Sequence, residues 1–139
     1  MRQEQVAHFQ KEECLQRIAG YREFVRPALE DVTRLLDLGT GAGYGALAVS
    51  DCVEAVIATD VCPQMIDAAR STCQEARIEN VSFLEMPAEQ LDFPDGGFEA
   101  VQIRYSLHHF DDAARALSEA ARVLTDEGVL LLADAFFPE

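Results

Sequence analysis

The segment Leu35-Leu36-Asp37-Leu38-Gly39-Thr40-Gly41-Ala42-Gly43 decides the fold class of this 139-residue chain. Its first half is mostly apolar, which is typical of a buried β-strand. Its second half alternates glycine with small residues, so the backbone can turn sharply and approach a ligand without a Cβ in the way. We therefore expect a strand that runs directly into a binding loop.

Strand-like and helix-like segments alternate on either side of this loop. Their composition predicts five strands, at residues 33–38, 55–59, 81–84, 98–103 and 129–135, the last two being rich in residues of buried type. Apolar residues at helical spacing follow Asp60 and again follow Asp111, and the run Thr125-Asp126-Glu127-Gly128 is expected to stop the second of these helices. The pattern predicts an α/β fold, a Rossmann-like doubly wound parallel sheet with strand order 3-2-1-4-5.

The segment before the first strand is predicted to be helical. Apolar residues recur at helical spacing from about residue 4 to residue 29 and end near Pro27. The chain is long enough for one hydrophobic core and too short for two ordinary domains. We expect one domain over residues 1–139, with an N-terminal helical segment at residues 1–30 and the sheet core at residues 33–139.

The chain is strongly acidic, with 25 acidic residues against 11 basic ones and a formal net charge of -14. Phosphate groups require clustered lysines and arginines, so we expect neither nucleic acid nor an anionic membrane as a partner. A small-molecule substrate is the better interpretation. No apolar run reaches the roughly 18 residues of a membrane span, and the N-terminus has no signal-peptide pattern, which predicts a cytoplasmic protein.

The four cysteines do not suggest a metal site. Cys14, Cys52, Cys62 and Cys73 form no C-x-x-C pair, and no nearby histidine would complete a zinc site. We therefore expect no bound metal and interpret the cysteines as reduced, mostly buried thiols.

A carboxylate at the end of the second predicted strand indicates a nucleoside ligand. Asp60 lies 21 positions after Gly39, where a carboxylate can accept hydrogen bonds from two ribose hydroxyls. A dinucleotide or S-adenosylmethionine (SAM) would use such a site. The dinucleotide motif G-x-G-x-x-G fails when it is counted from Gly39, because Tyr44 takes the third glycine position, and it fits only as G-x-G-x-x-A from Gly41.

Asp37 is a second residue that distinguishes between a dinucleotide and SAM as the cofactor. A carboxylate at the strand end would repel a pyrophosphate, whereas it suits the ammonium group of SAM, directly or through water. The alternative is that Asp37 and Asp60 are solvated acids at strand ends. The residues favour SAM, and an NAD-dependent oxidoreductase is the less favoured function.

Several motifs, in the order of one known family, extend over residues 33–139. The sequence resembles the class I SAM-dependent methyltransferases, most closely the branch of ubiquinone and menaquinone C-methyltransferases. The resemblance rests on Leu36-Asp37-Leu38-Gly39-Thr40-Gly41-Ala42-Gly43, Ala58-Thr59-Asp60-Val61-Cys62-Pro63-Gln64-Met65, Pro87-Ala88-Glu89-Gln90-Leu91-Asp92-Phe93-Pro94-Asp95, Arg104-Tyr105-Ser106-Leu107-His108-His109-Phe110, and Arg122-Val123-Leu124. Such motifs are specific for the family and hardly specific for the substrate.

The resemblance implies which residues bind SAM. They are the loop residues around its amino-acid tail, the ribose and adenine contacts, and the residues at the adenine edge: Asp37, Gly39, Thr40, Gly41, Gly43, Asp60, Val61, Met65, Ala88 and Glu89. For Met65, packing in the core is an equal alternative. Pro87 stands where many relatives have aspartate, so Glu89 or a backbone carbonyl would have to replace the usual acceptor for the adenine amino group.

Methyl transfer from SAM is an in-line displacement, which needs alignment and exclusion of water rather than a nucleophilic side chain. A general base is needed only if the acceptor loses a proton. The candidates are His108, His109 and Tyr105, because the fourth strand delivers them to the reactive end of the cofactor. A loop or helix-capping role is the alternative for the histidines. Arg104 is a candidate for contact with the SAM carboxylate or with an anionic substrate, and a solvated or structural role is the alternative.

The family that the sequence resembles continues after strand five with another helix and an antiparallel hairpin, which are absent from this chain. Strand five is then expected to be a long apolar edge strand, which favours pairing with a second copy or a partner chain. Two functions remain open: a methyltransferase that acts on a small molecule, or a SAM-binding module or fragment without catalysis of its own.

Overall fold

A computed structural model of the chain describes residues 16–134. Residues 16–25 form helix α1, which a 3-10 turn at Arg26–Leu29 follows. The other elements, in chain order, are β1 (Arg34–Leu38), α2 (Tyr44–Val49), β2 (Ala55–Asp60), α3 (Pro63–Glu75), β3 (Val81–Glu85), β4 (Phe98–Arg104), a 3-10 turn at Leu107–His109, α4 (Ala113–Val123) and β5 (Leu124–Ala133). The part of the predicted N-terminal helix before residue 16, with Cys14, lies outside the described residues.

The five strands form one parallel sheet in the order β3-β2-β1-β4-β5, which confirms the predicted fold class and strand order. In the centre, Leu36 of β1 is in register with Ile57 of β2 and with Val101 of β4. Because the strands are parallel, their carboxyl ends meet at one edge of the sheet. The strand order reverses between β1 and β4, and sheets of this kind bind ligands outside that reversal point.

Residues of β1 alternate between the two faces of the sheet, as strand geometry requires. Leu36 and Leu38 belong to a core with residues of α4, such as Ala116. Leu35 belongs to a second core with Val25 of α1 and residues of α2. Both faces of the sheet are therefore covered, and Asp37 projects to the same face as Leu35.

Helix α4 begins where its sequence provides an N-cap. The carboxylate of Asp112 accepts a hydrogen bond of 3.0 Å from the backbone N–H of Arg115, which satisfies one of the free N–H groups of the first turn. The buried side of the helix consists of Ala116, Ala120 and Val123. Small residues at this spacing let α4 lie close to the sheet beside β4 and β5.

β5 differs from the prediction at its start. The strand begins at Leu124 rather than at residue 129, because Leu124 pairs with Phe98 and Val129 pairs with Ala100. The four residues between those pairs bulge out opposite Glu99. The run expected to stop the helix therefore lies inside the strand, and α4 ends earlier, at Val123.

β5 is also less buried than its composition suggests. It forms one edge of the sheet, and all of its residues are half-buried or exposed, with Leu130 and Leu132 among the exposed ones. β4 is therefore buried as its composition suggests, and β5 is an apolar strand at the edge of the sheet, as predicted.

The described cysteines are free thiols, but only Cys73 is buried. Cys52 and Cys62 are half-buried, because they lie in the turns just before β2 and α3 rather than on a packed face. The prediction of mostly buried thiols was wrong for these two. Within residues 16–134, no helix is both long and apolar enough to cross a bilayer.

Candidate functional site

A cavity of about 500 Å³ opens at the carboxyl edge of the sheet, outside β1, β2 and β4. This is the reversal point of the strand order, and the volume is in the range of roughly 300–1,000 Å³ that is usual for ligand sites. Its lining comes from four loops, and consists of Gly39, Gly41, Asp60, Val61, Met65, Met86, Pro87, Ala88, Glu89, Arg104, Tyr105, Ser106, His109, Phe110 and Asp111.

Three glycines of the turn after β1 have positive φ, each in a different setting. A Cβ on Gly39 would lie 2.8 Å from the Cβ of Ser106, and a Cβ on Gly43 would lie 2.9 Å from that of Ala69. A Cβ on Gly41 would have no atom within 4 Å. Gly39 and Gly43 are therefore required by packing as well as by φ, whereas Gly41 faces open space on the cavity.

Asp60 lies on the rim of the cavity at the end of β2. One carboxylate oxygen accepts a hydrogen bond of 2.9 Å from the N–H of Gly41, and the other accepts one of 3.0 Å from the N–H of Cys62. These bonds fix the carboxylate against the glycine turn. Each oxygen retains a further lone pair, so the carboxylate can still accept hydrogen bonds from two ligand hydroxyls.

Asp37 lies beneath the cavity and does not line it. Its side chain is only 2% exposed, and its two oxygens accept hydrogen bonds from the hydroxyl of Thr40, at 2.7 Å, and from the amide of Gln102, at 3.1 Å. Burial raises the pKa of Asp37 to about 6, although these two hydrogen bonds oppose the rise. Asp37 is therefore a buried group rather than the solvated acid of the alternative interpretation.

The same hydrogen-bond network reaches the N-terminal helix. The hydroxyl of Tyr21 donates a bond of 2.6 Å to the amide oxygen of Gln102, whose nitrogen donates to Asp37. Burial, the largest cause, and the charge of Asp37 raise the pKa of Tyr21 well above its usual range. Tyr21 is therefore a neutral donor, and α1 is tied to the base of the site.

One end of the cavity is apolar. Val61 and Met65 are 62% and 39% exposed, although both are apolar, and they line the cavity together with Met86 and Pro87. Ala88 is almost fully buried, and Glu89 is half-buried beside it. Packing in the core was the alternative for Met65, but the buried residues of α3 are Ile66, Ala69 and Cys73.

The other end of the cavity is formed by the segment after β4. Of the candidates for a general base, Tyr105 and His109 line the cavity and His108 does not. The Nδ1 of His108 lies 2.8 Å from Oδ1 of Asp134, and its ring is 4.0 Å from that of His109. Arg104 also lines this end of the cavity. Thr40 and Gly43 do not line it: Thr40 donates a hydrogen bond to Asp37, and Gly43 packs against Ala69.

Six residues of the site were not predicted from the sequence. Met86, Ser106, Phe110 and Asp111 line the cavity, and Gln102 and Tyr21 lie below it. Gln102 carried a signal, because a polar residue in the middle of a buried strand requires a buried partner. The contact with Tyr21 spans 81 positions and left no local pattern to read.

The chain matches the family described as "Methyltransferase domain" over residues 36–132. The uncharacterized methyltransferase YcgJ of Bacillus subtilis is 45% identical over 106 residues, which cover 76% of this chain and 42% of YcgJ. The crystal structure of YcgJ is similar with a TM-score of 0.77 at 40% identity, covering 85% of this chain and 51% of that one.

Two further relatives have more specific names. Demethylmenaquinone methyltransferase of Thermus thermophilus is 41% identical over 114 residues, which cover 80% of this chain and 51% of that protein. The [4+2]-cyclase SpnF has a similar structure, with a TM-score of 0.73 at 28% identity, covering 81% of this chain and 43% of that one. The chain therefore spans about half the length of YcgJ and of the Thermus thermophilus methyltransferase.

The family match contains the glycine turn, Asp60 and the segment after β4, which are also the parts that surround the cavity. The cofactor of this family is SAM. The chain therefore belongs to the class I methyltransferase family and is a SAM-dependent methyltransferase domain.

Proposed function

We propose that the protein to which this domain belongs transfers the methyl group of SAM to a small-molecule acceptor, with the cofactor held in the cavity at the carboxyl edge of the sheet. The observation that carries this proposal is the contact between Gly41 and Asp60. It brings a glycine turn and a carboxylate to the same rim of one cavity, at 2.9 Å from each other.

The residues of the cavity fit SAM in charge and in shape. The open space at Gly41 can take the amino-acid tail of the cofactor next to the backbone. The carboxylate of Asp60 suits the two ribose hydroxyls. The apolar surfaces of Val61 and Met65 suit the two faces of an adenine ring, with Ala88 and Glu89 at its edge.

Asp37 contributes as a buried negative charge. SAM is a sulfonium that also carries an ammonium group, whereas a dinucleotide carries a pyrophosphate. A carboxylate below the glycine turn attracts the first and repels the second, and low surrounding polarity strengthens both effects. Because Asp37 is buried and does not line the cavity, it acts on the ligand through its charge rather than through direct contact.

When bound, SAM supplies a methyl carbon that leaves its sulfur as the acceptor atom bonds to it, which yields the methylated acceptor and S-adenosylhomocysteine. The protein has to align the acceptor and exclude water. Ser106 and Phe110 close the wall at this end of the cavity. If the acceptor gives up a proton, His109 is placed to receive it, and its neighbour His108 is oriented by Asp134.

Calorimetric titration tests the cofactor part of the proposal. We expect the full chain to bind S-adenosylhomocysteine and not NAD. An analogue of S-adenosylhomocysteine without both ribose hydroxyls should bind ~10-fold to 100-fold less tightly, because hydrogen bonds to a charged group are lost. Tight binding of NAD, without binding of the thioether, would overturn the proposal.

The variant Asp60→Ala assigns the ribose contact. It should bind the normal ligand and the analogue equally, because the group that distinguishes them is gone. Comparing two ligands on one variant removes any general effect of the substitution on folding. Asp67→Asn, at an exposed position of α3, is the matched control and should keep the preference of the original chain. A retained preference in Asp60→Ala would count against the ribose assignment.

A second candidate function is SAM binding without methyl transfer by this chain alone. Two observations favour it: the chain spans about half of its curated relatives, and one similar structure is named a [4+2]-cyclase. Incubation with radiolabelled SAM and a panel of small-molecule acceptors distinguishes the two. Binding with no labelled product for any acceptor supports the second candidate, and any labelled product supports the first.

A further inference from the structure

The loop between β3 and β4, residues 86–97, lines the apolar end of the cavity but contains no helix or strand of its own. Its first four residues, which include Pro87, Ala88 and Glu89, all line the cavity. They lie in a turn that is closed by a hydrogen bond of 3.3 Å from the N–H of Gln90 to the carbonyl of Pro87. The position of this turn therefore depends on the contacts that the rest of the loop makes.

Leu91, the residue directly after the turn, is bound at both of its backbone polar groups by one pair of side chains on α4. Its N–H donates a hydrogen bond of 2.9 Å to Oε1 of Glu119, and its carbonyl accepts one of 2.9 Å from Nη2 of Arg122. Glu119 and Arg122 are about one helical turn apart and are paired with each other, at 2.6 Å between Oε2 and Nε. Two charged side chains of a helix therefore bind the loop backbone as a neighbouring strand would.

Arg122 also binds the loop beyond Leu91. Its Nη1 donates to the carbonyl of Phe93 and to Oδ1 of Asp95, both at 2.8 Å, and its own carbonyl accepts a bond of 3.0 Å from the N–H of Gly96. The N–H donors of an arginine form a rigid planar fork. This fork therefore fixes several points of one loop relative to each other and to α4.

The charge of Glu119 strengthens these contacts. Arg122, the largest cause, and the N–H of Leu91 hold the pKa of Glu119 below its usual range. The side chain of Glu119 is only 13% exposed, so water competes little for its oxygens. Hydrogen bonds to a charged group are roughly twice as strong as neutral ones. The pair therefore holds the loop firmly on α4 at neutral pH.

The turn has few polar side chains at the cavity. Pro87 and Ala88 have none, so only their backbone groups can form hydrogen bonds with a ligand. Backbone groups move with the loop, and a shift of the turn would displace them directly. The carboxylate of Asp60, by contrast, is held by the N–H groups of Gly41 and Cys62, which lie outside the loop.

We propose that Glu119 and Arg122 are positioning residues that set the selectivity of the cavity for the base of its nucleoside ligand. Neither side chain lines the cavity, so the pair acts through the turn at Pro87–Gln90, whose backbone groups it holds at the polar edge of the base. This inference rests on the proposed function, because SAM in the cavity is what gives the turn an adenine to recognise.

Titration of the full chain with two nucleoside thioethers tests the inference. S-adenosylhomocysteine and S-inosylhomocysteine differ only in the base, since hypoxanthine has a carbonyl oxygen in place of the amino group of adenine and a donor at N1. The original chain should prefer the adenine ligand by ~10-fold or more, because the wrong base leaves polar groups unpaired. Arg122→Gln should reduce this preference to ~3-fold or less, because the turn is no longer fixed in advance. Its preference for a ligand with both ribose hydroxyls, which depends on Asp60, should not change.

Two further variants separate the hydrogen-bonded fork from its charge. Arg122→Lys keeps the charge but should also lose the adenine preference, because an ammonium group cannot reach the carbonyls of Leu91 and Phe93 together in the geometry of the fork. Arg115→Gln is the matched control. It removes the same charge from an exposed position of α4 that also acts on Glu119, and it should leave both preferences unchanged.

Hydrogen exchange without ligand measures the loop directly. The amide of Leu91 should exchange at least ~10-fold faster in Arg122→Gln, whereas amides of β1 should not change. The inference is wrong if this exchange is unaltered, if an Arg122 variant keeps the full adenine preference, or if the original chain binds both bases equally. It is also wrong if the adenine and ribose preferences fall together, which would indicate a general loss of structure. Failure of the original chain to bind S-adenosylhomocysteine would instead reject the proposed function, and the inference with it.

Discussion

Gln102 donates a hydrogen bond of 3.1 Å to Asp37, its register partner on the neighbouring strand. The two polar side chains lie together on the face of the sheet that is otherwise apolar around Leu35 and Ala100. Their pairing allows a carboxylate to be buried below the glycine turn. The stability of the domain and the charge of its cofactor site are therefore coupled at one pair of residues.

Asp37→Asn is expected to stabilise the fold at neutral pH. The pKa of Asp37 is about 6 when folded and near 3.8 when unfolded, so the folded state binds the proton more tightly. Stability from this group is present below pH 3.8 and is lost as the pH rises to about 6. At pH 7 the loss is ~3 kcal/mol. Asparagine should recover ~1–3 kcal/mol of it, because its oxygen can accept from Gln102 while its NH2 group donates to the hydroxyl of Thr40.

Urea unfolding at pH 7 and at pH 4 checks this prediction. The gain of Asp37→Asn should be present at pH 7 and much smaller at pH 4, whereas Asp67→Asn should change little at either pH. An equal gain at both pH values would contradict the charge explanation. The stabilised variant should also bind S-adenosylhomocysteine less tightly, if the buried charge attracts the cofactor as proposed.

Gln102→Leu should destabilise the fold by about 2–4 kcal/mol, because it leaves the carboxylate of Asp37 with one partner and the hydroxyl of Tyr21 with none. Tyr21→Phe should cost about 1 kcal/mol. The double variant should cost less than the sum of the two, since Tyr21→Phe removes a group that Gln102→Leu has already orphaned. Tyr44→Phe, at a half-exposed ring, serves as the control. Strict additivity in urea unfolding would show that the two residues are not coupled.

Gly39→Ala and Gly41→Ala should differ in stability. Both put a Cβ on a backbone with positive φ, which costs ~1–2 kcal/mol. Gly39→Ala also forces the new Cβ against Ser106, so its total cost should reach about 2–5 kcal/mol.

Ser106→Gly provides the rescue experiment for this pair. In the Gly39→Ala background it should recover part of the loss, because it removes the two atoms nearest to the new Cβ, whereas Cε1 of Phe110 at 3.0 Å remains. In the Gly41→Ala background it should recover nothing. The midpoint of thermal unfolding is measured for all four variants. Equal midpoints for Gly39→Ala and Gly41→Ala would show that Ser106 moves aside at no cost in stability.

We propose that the isolated chain self-associates through the edge of β5. This strand has ten residues, and both Leu130 and Leu132 are exposed on it. Leu132→Lys should therefore shift sedimentation equilibrium towards the monomer. Leu84→Lys on β3, the shorter strand at the opposite edge, should not. If the unsubstituted chain sediments as a monomer at high concentration, the proposed self-association is wrong.

The strand order and the position of Asp60 were predictable because both depend on local patterns. A strand, a glycine turn and a second strand of known length place Asp60 beside the turn wherever the strands are parallel. The direction of Asp37 was harder to predict. It follows from the two-residue period of β1, which turns Asp37 towards the face of Leu35 and away from the cavity mouth.

Long-range pairing explains the other differences. The start of β5 depends on how Leu124 pairs with Phe98 across a bulge, and the partners of Gln102 come from β1 and α1. A single sequence contains no local signal for either contact. An open groove lined by Tyr21 and Phe24 of α1 and by Tyr105 after β4 was not predicted for the same reason, because its walls come from distant parts of the chain.

The central position of β1 has a consequence for synthesis on the ribosome. Its partner β4 is encoded 65 positions later, as the pairing of Asp37 with Gln102 shows. At translation rates of roughly 5–20 residues per second, about 3–13 s pass between the synthesis of β1 and that of β4. During this time one side of β1 has no partner strand. During that interval its leucines and the unpaired carboxylate of Asp37 are exposed together, and the negative charge opposes premature aggregation of the nascent chain.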